Sequence, residues 1–261
     1  MSEERFSQKE WFGPRPPEAD SRAAFTLGLF VACYNEQENI RGTLETVVAA
    51  CREVGVDFEI LVVDDASQDA SVEEVRRFAR EHPDVSLGLL VNRFNQGLAD
   101  NYAEAAFLVR SEWYRLICGD NVEPRETLVT IFRLIGSAEI LVPFYPEILG
   151  RAWSRRALSR CYTFLVNLLG GFRMKYYNGM ILTRRRYVMR WHSNSHGFGF
   201  QADLLTRLLS LGLSYREVPV AGIERASGTS KALTLRNLAS VAHSLQNILL
   251  RRISRSLYRH D

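Results

Sequence analysis

The sequence has no pair of cysteines close enough to form a C-x-x-C site. Its four cysteines, Cys33, Cys51, Cys118 and Cys161, are scattered. That spacing excludes a zinc ribbon or a disulfide scaffold and fits reduced thiols in a cytoplasmic setting. No apolar run reaches the roughly 20 residues that a membrane-spanning helix needs. The longest uncharged stretch near a candidate helix, residues 237–250, is shorter and contains polar side chains. Residues 1–24 are charged and proline-containing, lack the apolar segment of a secretory signal, and read as a flexible leader. No G-x-G-x-x-G follows a strand-like run and no G-x-x-x-x-G-K-[ST] occurs, so the glycines that cradle a dinucleotide or a P-loop phosphate are missing. His192 and His196 lack the glutamate of an H-E-x-x-H zinc helix, and there is no G-x-S-x-G nucleophile elbow.

What is present is a chain of 261 residues, 46% hydrophobic, enough to bury one sizeable core. Its net charge of +3 conceals a division. Residues 151–261 carry 19 Lys and Arg against 4 Asp and Glu, whereas the first 150 carry 14 against 26. A basic half suits a phosphate-bearing partner or an anionic membrane face. It does not by itself suggest nucleic acid, since no RNA-binding signature accompanies it.

Apolar runs alternate with helical spacing from residue 27 onward. Strands are expected over 27–33, 58–64, 85–91 and 113–118, with helices over 36–54, 72–80, 98–109 and 124–135. This alternation predicts an α/β fold, with βαβ crossovers, a mostly parallel central sheet and helices on both faces. In such sheets ligands sit at the carboxyl ends of the strands. Polar residues gather at those ends: Asn35 and Glu36, Asp64 and Asp65, Asn92 to Gln96, and Asp120 with Asn121. Farther on, helices are expected over 151–169, 200–211 and 232–257, and strands over 180–183 and 215–220, with Gly212 placed to cap a helix.

Two blocks carry the most specific signal. The first is Val31-Ala-Cys-Tyr-Asn-Glu-Gln-Glu-Asn39 and the second Val62-Val-Asp-Asp-Ala-Ser-Gln-Asp69, each at a strand end. Strand-end carboxylates can accept hydrogen bonds from a base N–H or a ribose hydroxyl. The pair resembles family 2 glycosyltransferases, and the resemblance extends over nearly all of residues 27–240. Ala32 stands where that family usually has proline. The resemblance implies a GT-A fold and assigns Ala32, Tyr34, Glu36, Asp64, Asp65 and Gly97 to the nucleotide; Gly97 is also suited to a tight strand-to-helix turn. It further implies an Asp-x-Asp metal motif after the fourth strand. Here the sequence reads Cys118-Gly-Asp-Asn121, so Cys118 replaces the first aspartate, leaving Asp120 and Asn121 as candidate ligands for Mg²⁺ or Mn²⁺.

The basic half is similar to the polyprenyl-phosphate branch of the family, with dolichyl-phosphate mannose synthase as its relative. Trp153-Ser-Arg-Arg-Ala-Leu-Ser-Arg160 puts Arg156, Ser159 and Arg160 on roughly one helical face, where arginine forks suit an acceptor phosphate. Gly199-Phe-Gln-Ala-Asp203 resembles a helix start near the acceptor. Gln201 becomes an acceptor contact and Asp203 a candidate base. Glu217-Val-Pro-Val220 followed by Arg225-Ala-Ser-Gly-Thr-Ser-Lys231 resembles a strand and loop whose Arg225 and Lys231 neutralise the leaving diphosphate.

These readings imply a GT-A domain over 25–231 and an amphipathic helix over 232–261. The activity implied is inverting transfer of a hexosyl group from a nucleotide sugar to a polyprenyl phosphate at the cytoplasmic face of a membrane. Two alternatives stay open. The same fold can glycosylate a hydroxyl with Asp203 as base, or it can bind a nucleotide sugar without turnover, the reading that Cys118 keeps alive. The donor base and the oligomeric state are not specified by the sequence.

Overall fold

The computed structural model describes residues 5–14, 24–146, 148–149, 153–191, 199–223 and 235–257. Strands are β1 (Phe6–Phe12), β2 (Phe25–Cys33), β3 (Phe58–Asp64), β4 (Leu87–Asn92), β5 (Ser111–Cys118), β6 (Ile140–Phe144), β7 (Ile148–Leu149), β8 (Leu182–Arg184), β9 (Tyr215–Pro219) and β10 (Gly222–Ile223). Helices are α1 (Ile40–Val54), α2 (Ser71–Glu81), α3 (Leu98–Leu108), α4 (Arg125–Phe132), α5 (Trp153–Gly170), α6 (Arg185–Met189), α7 (Phe200–Ser210) and α8 (Leu235–Leu257).

Eight strands form one sheet in the order β1-β4-β3-β2-β5-β8-β6-β9, and β7 pairs with β10 in a separate two-stranded sheet. The central strands β4, β3, β2 and β5 are parallel, as are β6 and β9, while β1 and β8 run antiparallel to their neighbours. Alternate residues of each central strand serve opposite cores. Leu27, Leu29 and Val31 pack with α1, α2 and α4, whereas Phe30, Leu61 and Val63 pack with α3 and α7. Both faces are covered, which is why these strands read as continuous apolar runs.

Two expectations are corrected. Residues 6–12 do not form a flexible leader. They make β1, an antiparallel edge strand on β4, with Phe6 buried. Trp11 lies over Gly88, where an added Cβ would sit 2.3 Å from the ring. Arg76 of α2 pairs with Glu10 at 2.5 Å. The first helix begins at Ile40 and not at residue 36, because Asn35 takes a left-handed φ of 56° and residues 36–39 turn, Ile40 N–H bonding Glu36 O at 2.8 Å. Helix α8, expected as an amphipathic helix, packs on the domain. Ile248 is buried in the same core as α3 and α7, and α8 packs on both α5 and α7. The structure adds β6, unpredicted because Pro143 argues against a strand. Pro143 is tolerated since β8 pairs only with Ile140 and Leu141 and needs no N–H from it. Gly212 takes the expected positive φ, 76°, after α7.

Candidate active site

The ends of β2, β3, β4 and β5 are neighbours, so the loops that follow them meet along one edge. The loop after β2 and the loop after β3 hold each other reciprocally. Asn35 N–H donates to Ser67 Oγ at 2.8 Å, and Gln68 N–H returns a bond to Asn35 Oδ1 at 2.8 Å. Glu36 N–H donates to Ser71 Oγ at 2.8 Å, and Gln37 N–H to Asp69 Oδ2 at 3.2 Å. Partial burial would raise the Asp69 carboxyl. Hydrogen bonds from the Ser71 hydroxyl, the Ser71 amide and the Gln37 amide outweigh it and hold the group below its ordinary range.

The loop after β5 closes on the same edge. Gly119 N–H donates to Ala32 O at 2.9 Å. A Cβ on Gly119 would meet that carbonyl at 2.7 Å and the Glu36 Cγ at 3.6 Å, so only glycine lets the chain pass here, and Glu36 lies against the turn that carries Asp120. Tyr34 is exposed in the loop after β2, and Asp120 is half-buried in this turn. Beneath the loop, Arg115 is fully buried in β5. It makes a two-pronged ion pair with Glu123 at 2.6 and 3.0 Å and also donates to Met180 O at 3.2 Å. That pair ties the strand to the far end of the Asp120 loop. A lone arginine inside an apolar run was the only sequence signal for it.

Each expected residue now has a place. Asp64 is 1% exposed, and its Oδ1 accepts from Ser67 N–H at 2.9 Å. No nitrogen or oxygen donor among the described residues reaches its Oδ2, which is buried beside the Cys33 thiol. Burial raises the Asp64 carboxyl above its ordinary range, against the lowering hydrogen bonds from Ser67. Burial also pushes the Cys33 thiol up to about 12, helped by the charge of Asp64.

Asp65, expected at the nucleotide, is engaged by the next loop. Its oxygens accept from Asn92 Nδ2 at 2.7 Å, Gln96 N–H at 2.8 Å and Gly97 N–H at 2.9 Å, latching the β4–α3 loop. Gly97 has φ 89° and ψ 157°, a region open essentially to glycine alone, so the expected tight turn is there. Asn121, the second expected ligand, is turned toward α1. It takes a left-handed φ of 52° and packs on α1, its amide against Gly42 and its Oδ1 accepting from Thr46 at 3.3 Å.

Asp203 lies on α7. It is buried, one oxygen is ion-paired with Arg251 of α8, and the other accepts from Trp191 Nε1 at 3.2 Å. A carboxylate held on both oxygens, one of them by a guanidinium, joins α7 to α8 in this structure. Gln201 donates to Met180 Sδ at 2.9 Å, and its Oε1 is buried with no hydrogen-bond partner among the described residues. Arg156 and Arg160 are exposed on α5 and Ser159 is half-buried there, so these three lie on a separate element from the strand-end cluster. Arg225 and Lys231 lie outside the described residues. Among the described residues no three His, Cys, Asp or Glu side chains gather as a ready-made metal site.

The model of glycosyl transferase family 2 matches residues 29–191, more than half of the chain and all of the strand ends just described. The chain belongs to glycosyl transferase family 2. Relatives of this family 2 chain include undecaprenyl-phosphate 4-deoxy-4-formamido-L-arabinose transferases. That of Edwardsiella ictaluri is 25% identical over 82% of this chain and 65% of its own length. That of Serratia proteamaculans is 24% identical over 78% and 62%. The chain thus spans a little under two thirds of the length of these relatives. Among solved structures, glucosyl-3-phosphoglycerate synthase from Mycobacterium tuberculosis, in complex with Mn²⁺, UDP and phosphoglyceric acid, superposes with a TM-score of 0.64. It is 15% identical and covers 89% of this chain and 80% of that one. A mannosyltransferase from Pyrobaculum calidifontis, in complex with GDP-Man and Mn²⁺, gives 0.58 at 15% identity, over 95% and 80%. These likenesses show the GT-A fold.

Proposed function

We propose that this family 2 chain transfers a glycosyl group, with inversion, from a nucleotide sugar to a polyprenyl-phosphate-type acceptor at a membrane face. The observation that carries the donor reading is the meeting of Tyr34, Glu36, Asp64 and Asp120 along the carboxyl edge of four adjacent strands. Tyr34 offers an exposed ring for a base to stack on and Glu36 an acceptor for base or ribose donors; Asp64, 1% exposed, becomes a further acceptor once the donor reaches its buried oxygen. Asp65 contributes by holding the β4–α3 loop in place.

A divalent cation fits this edge in a limited way. Small hard cations are commonly held by one or two carboxylates together with substrate phosphates, the remaining positions being water. Of the two carboxylates in the turn between β5 and α4, Glu123 is tied to Arg115, which leaves Asp120 for the cation, and the donor diphosphate would complete the shell. A bound cation supplies charge neutralisation on the departing diphosphate. Arg225 and Lys231 supply positive charge to the same leaving group.

The acceptor reading draws on the relatives' names and on Asp203. Asp203, the candidate base for a hydroxyl acceptor, is ion-paired with Arg251, which supports an acceptor that carries its own nucleophile. An ionised phosphate needs none, since its oxygen already bears the electron pair that displaces the diphosphate at the anomeric carbon. Arg156 and Arg160 on the exposed face of α5 are the groups to receive that phosphate.

The test is product formation from a panel of GDP- and UDP-sugars, with and without Mn²⁺, against polyprenyl phosphate and against soluble hydroxyl acceptors. Transfer to the lipid phosphate is expected, stimulated by Mn²⁺. Asp120→Ala should lower turnover by roughly 10²–10³-fold, the usual loss when one group stabilising transition-state charge is removed. Calorimetric binding of a donor with no turnover on any acceptor would overturn the enzyme reading.

A further inference from the structure

Strand β1 carries none of the donor motifs, yet a side chain at its head leads to the donor edge. Arg5 immediately precedes Phe6, which is buried in the core that α3 lines. Its backbone is tied to the end of β4, Arg93 N–H donating to Arg5 O at 3.1 Å. The β1–β4 register shifts between Phe6 and Gln8, an irregularity of the kind that re-aims a side chain. Arg5 Nη2 donates to Asn101 Oδ1 of α3 at 2.7 Å. Asn92 Nδ2 donates to the same Oδ1 at 2.9 Å and to Asp65 Oδ1 at 2.7 Å. Asp65 in turn holds the Gln96 and Gly97 amides of the β4–α3 loop. Asp65, Asn92 and Asn101 are all buried.

The polarity of this row is fixed from its two ends. A guanidinium has only donors and a carboxylate only acceptors. Asn101 must therefore turn its carbonyl toward Arg5, and Asn92 its amide nitrogen toward Asp65. With those orientations the two asparagines meet donor to acceptor. Turning Asn101 over would set its amino group against two donors in a buried place, where an unmade hydrogen bond is costly. Arg5 thus locks one amide, that amide fixes the next, and the second completes the bonds of the carboxylate that holds the loop. Arg5 Nε is buried with no hydrogen-bond partner among the described residues, and Glu104 lies 3.9 Å from Nη1, so the bond to Asn101 is the firm hold on the guanidinium. We infer that Arg5 is a positioning residue for the β4–α3 loop, through which the edge strand β1 sets the shape of the donor edge. That the loop serves a donor rests on the function proposed above; that Arg5 orders the loop does not. Glu10 supplies a control, because it fastens β1 to Arg76 of α2 and takes no part in this row.

The test compares Arg5→Met, Arg5→Lys and Glu10→Ala in the full chain, by hydrogen exchange at single amides and by kinetics with UDP-glucose and GDP-mannose in the presence of Mn²⁺. Arg5→Met should speed exchange at Gln96 and Gly97 by roughly tenfold, the lower range for a hydrogen bond to a charged group, and leave the amides of α1 unchanged. It should raise KM for the sugar that is turned over by a similar factor with kcat within about twofold, which marks lost binding and not lost chemistry. Arg5→Lys can still donate to Asn101 and should restore most of both. In an Asn101→Ala background the Arg5 change should add nothing further, because the row is already cut. Glu10→Ala should change neither readout. Unchanged exchange at Gln96 and Gly97 in Arg5→Met overturns the proposal. So does an equal rise in Glu10→Ala, which would make Arg5 an ordinary fastening of β1. Faster exchange with an unchanged KM would overturn the link to the donor. If the unaltered protein binds neither nucleotide sugar, the proposed function fails, and the exchange result still decides the role of Arg5.

Discussion

Along the edge formed by β2 to β5, carboxylates are held by neutral donors: Asp64 by the Ser67 amide, Asp65 by two loop amides and Asn92, and Asp69 by Ser71 and Gln37. In the layer of α5, α7 and α8 the buried carboxylate Asp203 is instead held by an arginine. The two ways of satisfying a carboxylate have different consequences. Neutral donors leave the negative charge in place, so the edge keeps a field suited to a cation and to ribose and base donors. A guanidinium cancels the charge, and the remaining arginines of the helical layer then set its sign. The acidic and basic halves of the sequence therefore become two surfaces of opposite sign, the first proposed to take a cation-bearing donor and the second phosphate oxygens.

Arg115 is the sharpest way to break this comparison, because it places a full ion pair beneath the edge. Arg115 is 0% exposed and Glu123 nearly buried. Removing one partner strands a buried charge, which typically costs about 3–5 kcal/mol. Arg115→Met should lose that much stability in urea denaturation and also lower turnover, since the Asp120 loop loses its tie to β5. Arg115→Met with Glu123→Met should recover most of the stability, because a well-packed apolar pair can replace a buried ion pair at little cost. A single variant that loses less than about 1 kcal/mol, the range of an exposed pair, would mean the pair is solvated and does not anchor the loop.

The parts that were legible in the sequence and the parts that were not divide along a physical line. Strand β3 matches its expected bounds, Phe58–Asp64, because a strand covered on both faces reads as an unbroken apolar run stopped by polar residues. Strand β1 was missed because an edge strand shows only a faint alternation, and its reason to pair, the space over Gly88, lies 77 positions after Trp11. At the site, a motif names a residue but not its partner. Glu36 and Gly97 stand where their motifs put them. The tasks of Asp65 and Asp203 were set by contacts about 30 and 48 positions away, with Gln96 and Arg251, and neither block contains those partners.

Asp203 offers the next test. If its role is to join α7 to α8, Asp203→Asn should reduce stability by about 1.5–3 kcal/mol, the range for a charge-assisted hydrogen bond. Arg251 keeps about a quarter of its side chain in solvent, which favours the lower part of that range. The variant's kcat should stay within about twofold of the unaltered protein when both are assayed well below their melting temperatures. A drop of roughly 10²-fold or more in kcat, with stability unchanged, is what removal of a general base produces, and it would reverse the assignment.

Asp64 carries the smallest effect and the most informative sign. Burial raises its carboxyl pKa in the folded protein, so between the ordinary aspartate value and the raised one the native state binds more protons than the unfolded chain. Stability contributed by this group therefore falls as pH rises through that interval and stays low above it. Asp64→Asn keeps an oxygen for the Ser67 amide and removes the buried charge. The variant should match the unaltered protein at pH values below the interval and melt higher at neutral pH. It should also bind the nucleotide more weakly, because the acceptor facing the donor's N–H or hydroxyl loses its charge. Melting curves across pH, paired with donor titrations at neutral pH, measure both. A gain in stability accompanied by a loss of affinity would mark a carboxylate kept charged at the expense of the fold. A loss in both would mean that Asp64 is held as tightly as Asp65, and the edge would then present only Glu36 and Asp120 to the donor.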